Sequence, residues 1–340
     1  MPYDLSKMLV IGISSRALFD LEEEERIYNK RGLDDYRHYQ LEHEDEILDP
    51  GTAFPLIKGL LSLNKPGEER VVEVIVVSRN HPETGLRVFH SIRYHHLDIS
   101  RAAFVGGAAL VPYLHAFKVD LFLSRSKEDA QEAIDGGIAA GVLYNPSQIQ
   151  FGDDDQLRIA FDADAVVFSE ESEAIYRAEG LEAFLEHESS KAEEPLPEGP
   201  LATLLRKLCT FQEGRTPEDA RVRLGIFTAR NSPAHERVIK TLRRWGVRVD
   251  EAFFLGGIAK DQFLEAFGAH IFFDDQEAHL APASRATPSA LVLYRTTSVL
   301  RVEVPSSPPH VVPTSPDEVG EREIPLKRKS TQRRPRKHAE

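Results

Sequence analysis

The strongest constraint on the fold of this chain is that its second half repeats its first. Residues 13–33, ISSRALFDLEEEERIYNKRGL, align without a gap on residues 161–181, FDADAVVFSEESEAIYRAEGL. Ala17 falls on Ala165, Glu22-Glu23 on Glu170-Glu171, Ile27-Tyr28 on Ile175-Tyr176 and Gly32-Leu33 on Gly180-Leu181. At a slightly larger offset, Phe104-Val-Gly-Gly107 falls on Phe254-Leu-Gly-Gly257, Ala116-Phe117 on Ala266-Phe267 and Arg87 on Arg237. Matches in one order across separated segments point to duplication, with the drift absorbed in loops, where insertions are tolerated.

Each copy reads as strands alternating with helices. Short apolar runs at 9–13, 72–77, 103–105 and 121–123 recur at 157–161, 223–227, 253–255 and 271–273. Between them lie helical patterns such as 235–245, where Val238, Ile239, Leu242 and Trp245 share one face. Alternating strands and helices imply parallel sheets with right-handed crossovers. The expected fold is therefore α/β, two tandem Rossmann-like parallel-sheet units, over residues 1–150 and 151–300. From about residue 301 the chain turns to Pro, Ser and charge and ends in Arg333-Arg334-Pro-Arg336-Lys337. That composition predicts a disordered basic tail over 301–340.

The net charge of −13 argues against a general nucleic-acid binder, since phosphate backbones select for excess Lys and Arg. A weak contact through the basic tail is the one exception. A single cysteine, Cys209, rules out a disulfide framework within the chain and suits a reducing compartment. The early apolar run at 8–13 is too short for a signal segment or a membrane span, so the expected location is the cytoplasm. Assembly into homo-oligomers is compatible with the sequence and not specified by it.

Chemistry-bearing residues gather where the strands of the second copy end. Asp162 and Asp164 follow 157–161, Thr228-Ala229-Arg230 follows 223–227, Lys260 follows Gly256-Gly257, and Asp274-Asp275 follows 271–273. In an open α/β sheet the carboxyl ends of parallel strands converge on one crevice. Each motif alone is uninformative; the ordered set describes a phosphoryl-transfer site. Phosphate-monoester hydrolysis needs a nucleophile, a proton donor for the leaving oxygen and cations for the phosphoryl oxygens. Asp162 can attack phosphorus, Asp164 can serve as acid and then base, and Lys260 supplies positive charge. Asp274 and Asp275 add the oxygen ligands that Mg²⁺ prefers. Thr228 offers a hydroxyl and a backbone N–H to a phosphoryl oxygen, and Ala229 and Arg230 are expected to bind substrate beside it.

This constellation resembles the haloacid dehalogenase superfamily, and a closer resemblance covers most of residues 8–285. The stretches FDADAVVFSEESE, TARNSPA, VIKTLRRWGVRVDEAFFLGG and HIFFDDQ are similar to the cytosolic 5′-nucleotidase type I family, as are Ser78-Arg-Asn-His81, Gly85-Leu-Arg87 and Gly136-Gly-Ile-Ala-Ala140. The resemblance implies haloacid dehalogenase-like units, Mg²⁺ dependence and a nucleoside 5′-monophosphate substrate. It places the nucleophile on Asp162, the acid/base on Asp164 and the phosphate-binding group on Thr228. The family's lysine falls on Lys260 and its metal ligands on Asp162, Asp274, Asp275 and the backbone carbonyl of Asp164.

The first copy is degenerate. At the positions matched to Asp162, Asp164, Thr228, Lys260 and Asp274-Asp275 this half has Ser14, Arg16, Val77, Leu110 and Ser124-Arg125, so it is expected to be catalytically silent. Its role is either structural or that of a cap, with Asn80, His81 and Arg87 offering amide, imidazole and guanidinium groups to substrate. Two other functions stay open at this point: a phosphatase or phosphotransferase for another small phosphate ester, and a non-catalytic nucleotide-binding scaffold.

Overall fold

The computed structural model describes residues 4–144, 156–213 and 220–301. The expected tail and the 150/151 unit boundary lie outside them. In chain order the strands are β1 (Leu9–Ile13), β2 (Val72–Ser78), β3 (Arg101–Phe104), β4 (Leu121–Ser124), β5 (Ala140–Leu143), β6 (Leu157–Phe161), β7 (Val222–Thr228), β8 (Glu251–Phe254), β9 (Ile271–Asp274) and β10 (Ser289–Leu291). Helices connect them, and among the described residues none is long and apolar enough to cross a membrane. β1 and β2 are buried along their whole length, as expected of strands covered by helices on both faces.

The two expected sheets are one mostly parallel sheet. Its ten strands run in the order β3-β2-β1-β4-β5-β10-β9-β6-β7-β8. Every pairing is parallel except that between β5 and β10, where Leu143 faces Ala290 and Val142 faces Leu291. The strand set of the first half therefore runs opposite to that of the second. Ala140–Leu143 and Ser289–Leu291, which close this seam, are too short to show a period in sequence.

One apolar core runs through both halves, from Leu9 and Ile11 to Ile159, Phe161 and Phe273. Helices cross the seam in both directions. Phe54–Leu61 of the first half packs on β6, with Gly59 against Leu157, and Ala202–Thr210 of the second half packs on β1. There Lys207 Nζ donates to the Met8 carbonyl at 3.0 Å and to both Asp120 carboxylate oxygens at 2.7 and 2.8 Å.

The structure also corrects the alignment of the halves. After β1, the Phe19 N–H closes a turn on the Ser15 carbonyl; after β6, the Phe168 N–H reaches one residue farther, to the Ala163 carbonyl. The turn Ala163–Val167 is thus of π type and holds Ala165 at φ 58°. The second half carries one extra residue there, and the backbone of the turn is not helical: Asp164 is extended at φ −74° and ψ 139°, ahead of the left-handed Ala165. The counterpart of Thr228 is Ser78 and not Val77, because Ser78 pairs with Phe104 as Thr228 pairs with Phe254.

Both turns are pinned by a glycine. A Cβ on Gly199 would lie 2.2 Å from the Phe168 carbonyl oxygen, and one on Gly51 would lie 2.8 Å from the Phe19 carbonyl carbon. These atoms are backbone and have nowhere to move. Gly199→Ala is expected to destabilise the fold by about 1–3 kcal/mol, read as a lower urea midpoint at unchanged m-value.

Candidate active site

The order β10-β9-β6-β7-β8 brings Asp162, Thr228, Asp274 and Asp275 to neighbouring strand ends. Lys260 arrives from the turn after β8, where Gly256 and Gly257 take φ of 58° and 90°, a conformation that favours glycine. Asp162, Lys260, Asp274, Asp275 and Thr228 are all buried. Lys260 Nζ donates to Asp162 Oδ1 at 2.8 Å and to Asp274 Oδ2 at 2.6 Å. Thr228 Oγ1 accepts the Arg230 N–H at 3.1 Å, so the hydroxyl is fixed at the head of the turn.

Carboxylate oxygens of Asp162, Asp274 and Asp275 lie within 4.8 Å of one another. Burial, reinforced by Asp274 and Asp164 and opposed by Lys260, pushes Asp162 up to about 7. Burial, reinforced by Asp274 and Asp162 and opposed by the Tyr294 hydrogen bond, holds Asp275 well above the usual carboxylate range. Burial acts on Asp274 as well, yet Lys260 and His279 overcome it and keep this carboxyl low. With all three ionised, three carboxylates around one ammonium would leave two negative charges, the charge of one divalent cation. Asp275 Oδ1 is buried with no hydrogen-bond partner, which leaves an oxygen for such a cation. An all-oxygen, carboxylate-rich donor set fits Mg²⁺ better than a softer metal.

Asp164 faces elsewhere. Its carboxylate takes a two-pronged bond from Arg230, Nη2 to Oδ1 at 2.6 Å and Nε to Oδ2 at 2.8 Å. Arg230 is itself buried and also donates to Glu188, which accepts Arg237 Nη1 at 3.0 Å on its other oxygen. Expected to contact substrate, Arg230 instead directs its side chain to Asp164; the Arg230 and Ala229 backbones remain at the Thr228 turn. Asn80, His81 and Arg87 are not brought to this cluster. They follow β2, whose carboxyl end lies on the opposite rim of the sheet because of the antiparallel seam. Arg87 is buried, bonded to Glu24, Gln40 and the Glu46 carbonyl. Arg237 has the matching place in the second half and reaches the Glu194 carbonyl at 3.0 Å.

Several site residues carried no signal in the sequence. His279 Nδ1 lies 3.2 Å from Asp274 Oδ2, and the Gln276 N–H donates to Asp274 Oδ1 at 2.8 Å. Tyr294 donates its hydroxyl to Asp275 Oδ2. The segment after β10 is tied down on both sides: Gln131 donates to the Tyr294 carbonyl at 3.0 Å, Asp135 accepts the Thr296 N–H at 2.8 Å, and Ser298 donates to Glu170 at 2.5 Å. The first half thus reaches the neighbourhood of the site through the helix Lys127–Asp135 and not through the loop after β2. His279 could have been suspected from its position five residues after Asp274; Tyr294 could not.

A family model described as 5′-nucleotidase matches residues 1–299. The chain belongs to the 5′-nucleotidase family. Human cytosolic 5′-nucleotidase 1B is 36% identical over 288 residues, covering 82% of this chain and 47% of that protein, so the chain spans about half the length of this relative. A solved histidinol dehydrogenase from Elizabethkingia anophelis aligns over 73% of this chain and 51% of its own at 10% identity, with a TM-score of 0.22 too low to bear on the fold.

Two outcomes follow from the buried groups. Glu188→Ala leaves Arg230 and Arg237 without their shared carboxylate, and a lone buried charge costs about 3–5 kcal/mol; thermal denaturation should show the loss. Burial pushes the Cys209 thiol up to about 11, with a backbone hydrogen bond of Arg248 opposing the shift and Asp250 and Glu213 adding to it. At pH 8 only about one thiol in a thousand is then ionised. Alkylation of the native protein should be far slower than of the urea-unfolded chain and should rise with pH up to that range.

Proposed function

We propose that this chain is a phosphoric monoester hydrolase that converts nucleoside 5′-monophosphates to nucleoside and phosphate in the cytoplasm. The observation that carries the reading is the buried Asp162–Lys260–Asp274 arrangement, with Thr228 on the adjoining strand, in a chain of the 5′-nucleotidase family. Such an arrangement aims a carboxylate and donors at one small volume, as anion chemistry requires. The site-residue roles and the division into a silent half (1–150) and a haloacid dehalogenase-like catalytic half (151–300) belong to the same proposal.

In the first step an Asp162 carboxylate oxygen attacks phosphorus and the bond to the nucleoside oxygen breaks, giving an aspartyl-phosphate. Asp164 gives its proton to the departing oxygen. In the second step Asp164 takes a proton from water as that water attacks the phosphorus, restoring Asp162 and releasing phosphate. Thr228 and the N–H groups of its turn orient the phosphoryl oxygens, while Lys260 holds the nucleophile in place and offsets charge. Asp162, Asp274 and Asp275, with the backbone carbonyl of Asp164, would hold the metal. When bound, Mg²⁺ would neutralise the repulsion between the carboxylates and the phosphate dianion.

Arg230 fixes where Asp164 points, through two bonds to its carboxylate. Donation to the leaving group requires Asp164 to turn out of that contact. Arg230→Lys keeps the charge and removes the fork, so it should lower kcat more than it raises KM.

Phosphate release from nucleoside 5′-monophosphates, sugar phosphates and an aryl phosphate, with Mg²⁺ or with EDTA, tests the reading. Turnover of nucleotides should need Mg²⁺ and fall by about a thousandfold or more in Asp162→Asn. Full turnover in that variant would remove the mechanism, and activity confined to sugar phosphates would remove the nucleotide assignment.

A further inference from the structure

We propose that the strand-end crevice of the first half binds the phosphate group of a small molecule without a metal. The inference does not depend on the hydrolase reading, because it concerns residues on the opposite rim of the sheet.

The crevice keeps the frame of the catalytic one. The Ser14 N–H bonds the Leu123 carbonyl at 2.9 Å as the Asp162 N–H bonds that of Phe273 at 2.8 Å. Their backbones match, φ −72° and ψ 150° against φ −67° and ψ 161°, so both Cβ atoms leave the strand in the same direction. Ser78 Oγ accepts the Asn80 N–H at 3.2 Å, reproducing the Thr228 turn. Ser124 Oγ accepts the Ser126 N–H at 3.1 Å, as Asp274 accepts that of Gln276. Ser15 Oγ lies 3.2 Å from Ser78 Oγ and accepts Asn80 Nδ2 at 3.3 Å, which adds a further hydroxyl to the cluster.

Within that frame the substitutions share one electrostatic direction. Hydroxyls replace the carboxylates of Asp162 and Asp274, and Arg125 replaces Asp275. Leu110 replaces Lys260, whose ammonium has no carboxylate left to bridge. Arg125 is mostly buried, its side chain 15% exposed, and pairs with Glu22 at 2.8 Å; Arg16 pairs with Glu25 at 2.7 Å. Burial presses on the Arg125 charge, Glu22 relieves it with smaller help from Asp20 and Glu25, and Arg16 adds repulsion, so the two guanidinium fields overlap. A dianion that displaced the half-exposed Glu22 and Glu25 would take both guanidiniums. Hydroxyls and forked guanidiniums are the groups that hold phosphate directly.

Ser14 is the observation that separates a binding site from a filled relic. The residue is only 7% exposed and its Oγ has no hydrogen-bond partner. A buried, unpaired hydroxyl costs about 1–3 kcal/mol, and an alanine would avoid that cost. A phosphate oxygen gives this hydroxyl an acceptor.

Calorimetric titration of the full chain with inorganic phosphate in EDTA tests the proposal, since the acidic catalytic cluster without metal disfavours an anion. One phosphate per chain is expected. Affinity should fall about tenfold or more in Arg125→Gln, less in Arg16→Gln and Ser14→Ala, and stay unchanged in Thr228→Val. The two milder variants remove no buried charge and keep the comparison open if Arg125→Gln unfolds. No binding in EDTA would overturn the proposal. So would binding that is lost in Thr228→Val, or binding indifferent to the three first-half variants, either of which assigns the phosphate elsewhere.

Discussion

The antiparallel pairing of β5 with β10 is the constraint from which the rest of the molecule follows. Two parallel half-sheets could each have been finished with its own edge, leaving two loosely joined domains. Pairing through Ala140–Leu143 and Ser289–Leu291 fuses them, removes two edges and lets each half lay a helix over the first strand of the other. The core that results is shared, so neither half carries its apolar surface alone. The same seam directs the two strand-end crevices to opposite rims, and one chain therefore holds an acidic site and a hydroxyl-rich site that do not meet.

Charge placement distinguishes the halves more sharply than shape. Both retain a buried arginine on the helix after their second strand, Arg87 and Arg237, each bonded to a backbone carbonyl. In the second half Glu188 stands between two guanidiniums, those of Arg230 and Arg237. In the first half Arg87 bonds the buried Glu24 carboxylate and the Gln40 amide oxygen, and Asn80 occupies the place of Arg230. Each half thus gives its buried guanidinium a buried carboxylate, consistent with the cost of unpaired buried charge. The second half adds Arg230, whose clamp holds the residue to which the proposed acid/base role falls.

Much of the architecture could be read from residues alone because it rests on local, repeating signals. Eight of the ten strands, the amphipathic helix His235–Trp245 and the gathering of Asp162, Thr228, Lys260 and Asp274 at strand ends all follow from apolar runs and their order. The ungapped alignment misled where a one-residue change was compensated a few residues later. The extra residue in the turn Ala163–Val167 became visible only from hydrogen bonds, whereas the offset that sets Arg87 on Arg237 also sets Ser78 on Thr228, and the register bears it out.

By itself the sequence determined the duplication, the α/β class and which half carries the reactive groups, since identity and spacing are properties of the chain. Tertiary structure decided that the halves share one sheet, that Arg230 holds Asp164, that Tyr294 bonds Asp275, and that Asn80 and His81 face away from Asp162. Those facts depend on strands of three and four residues and on side chains far apart in sequence. Their pairing is settled by burial and packing, to which no local pattern corresponds.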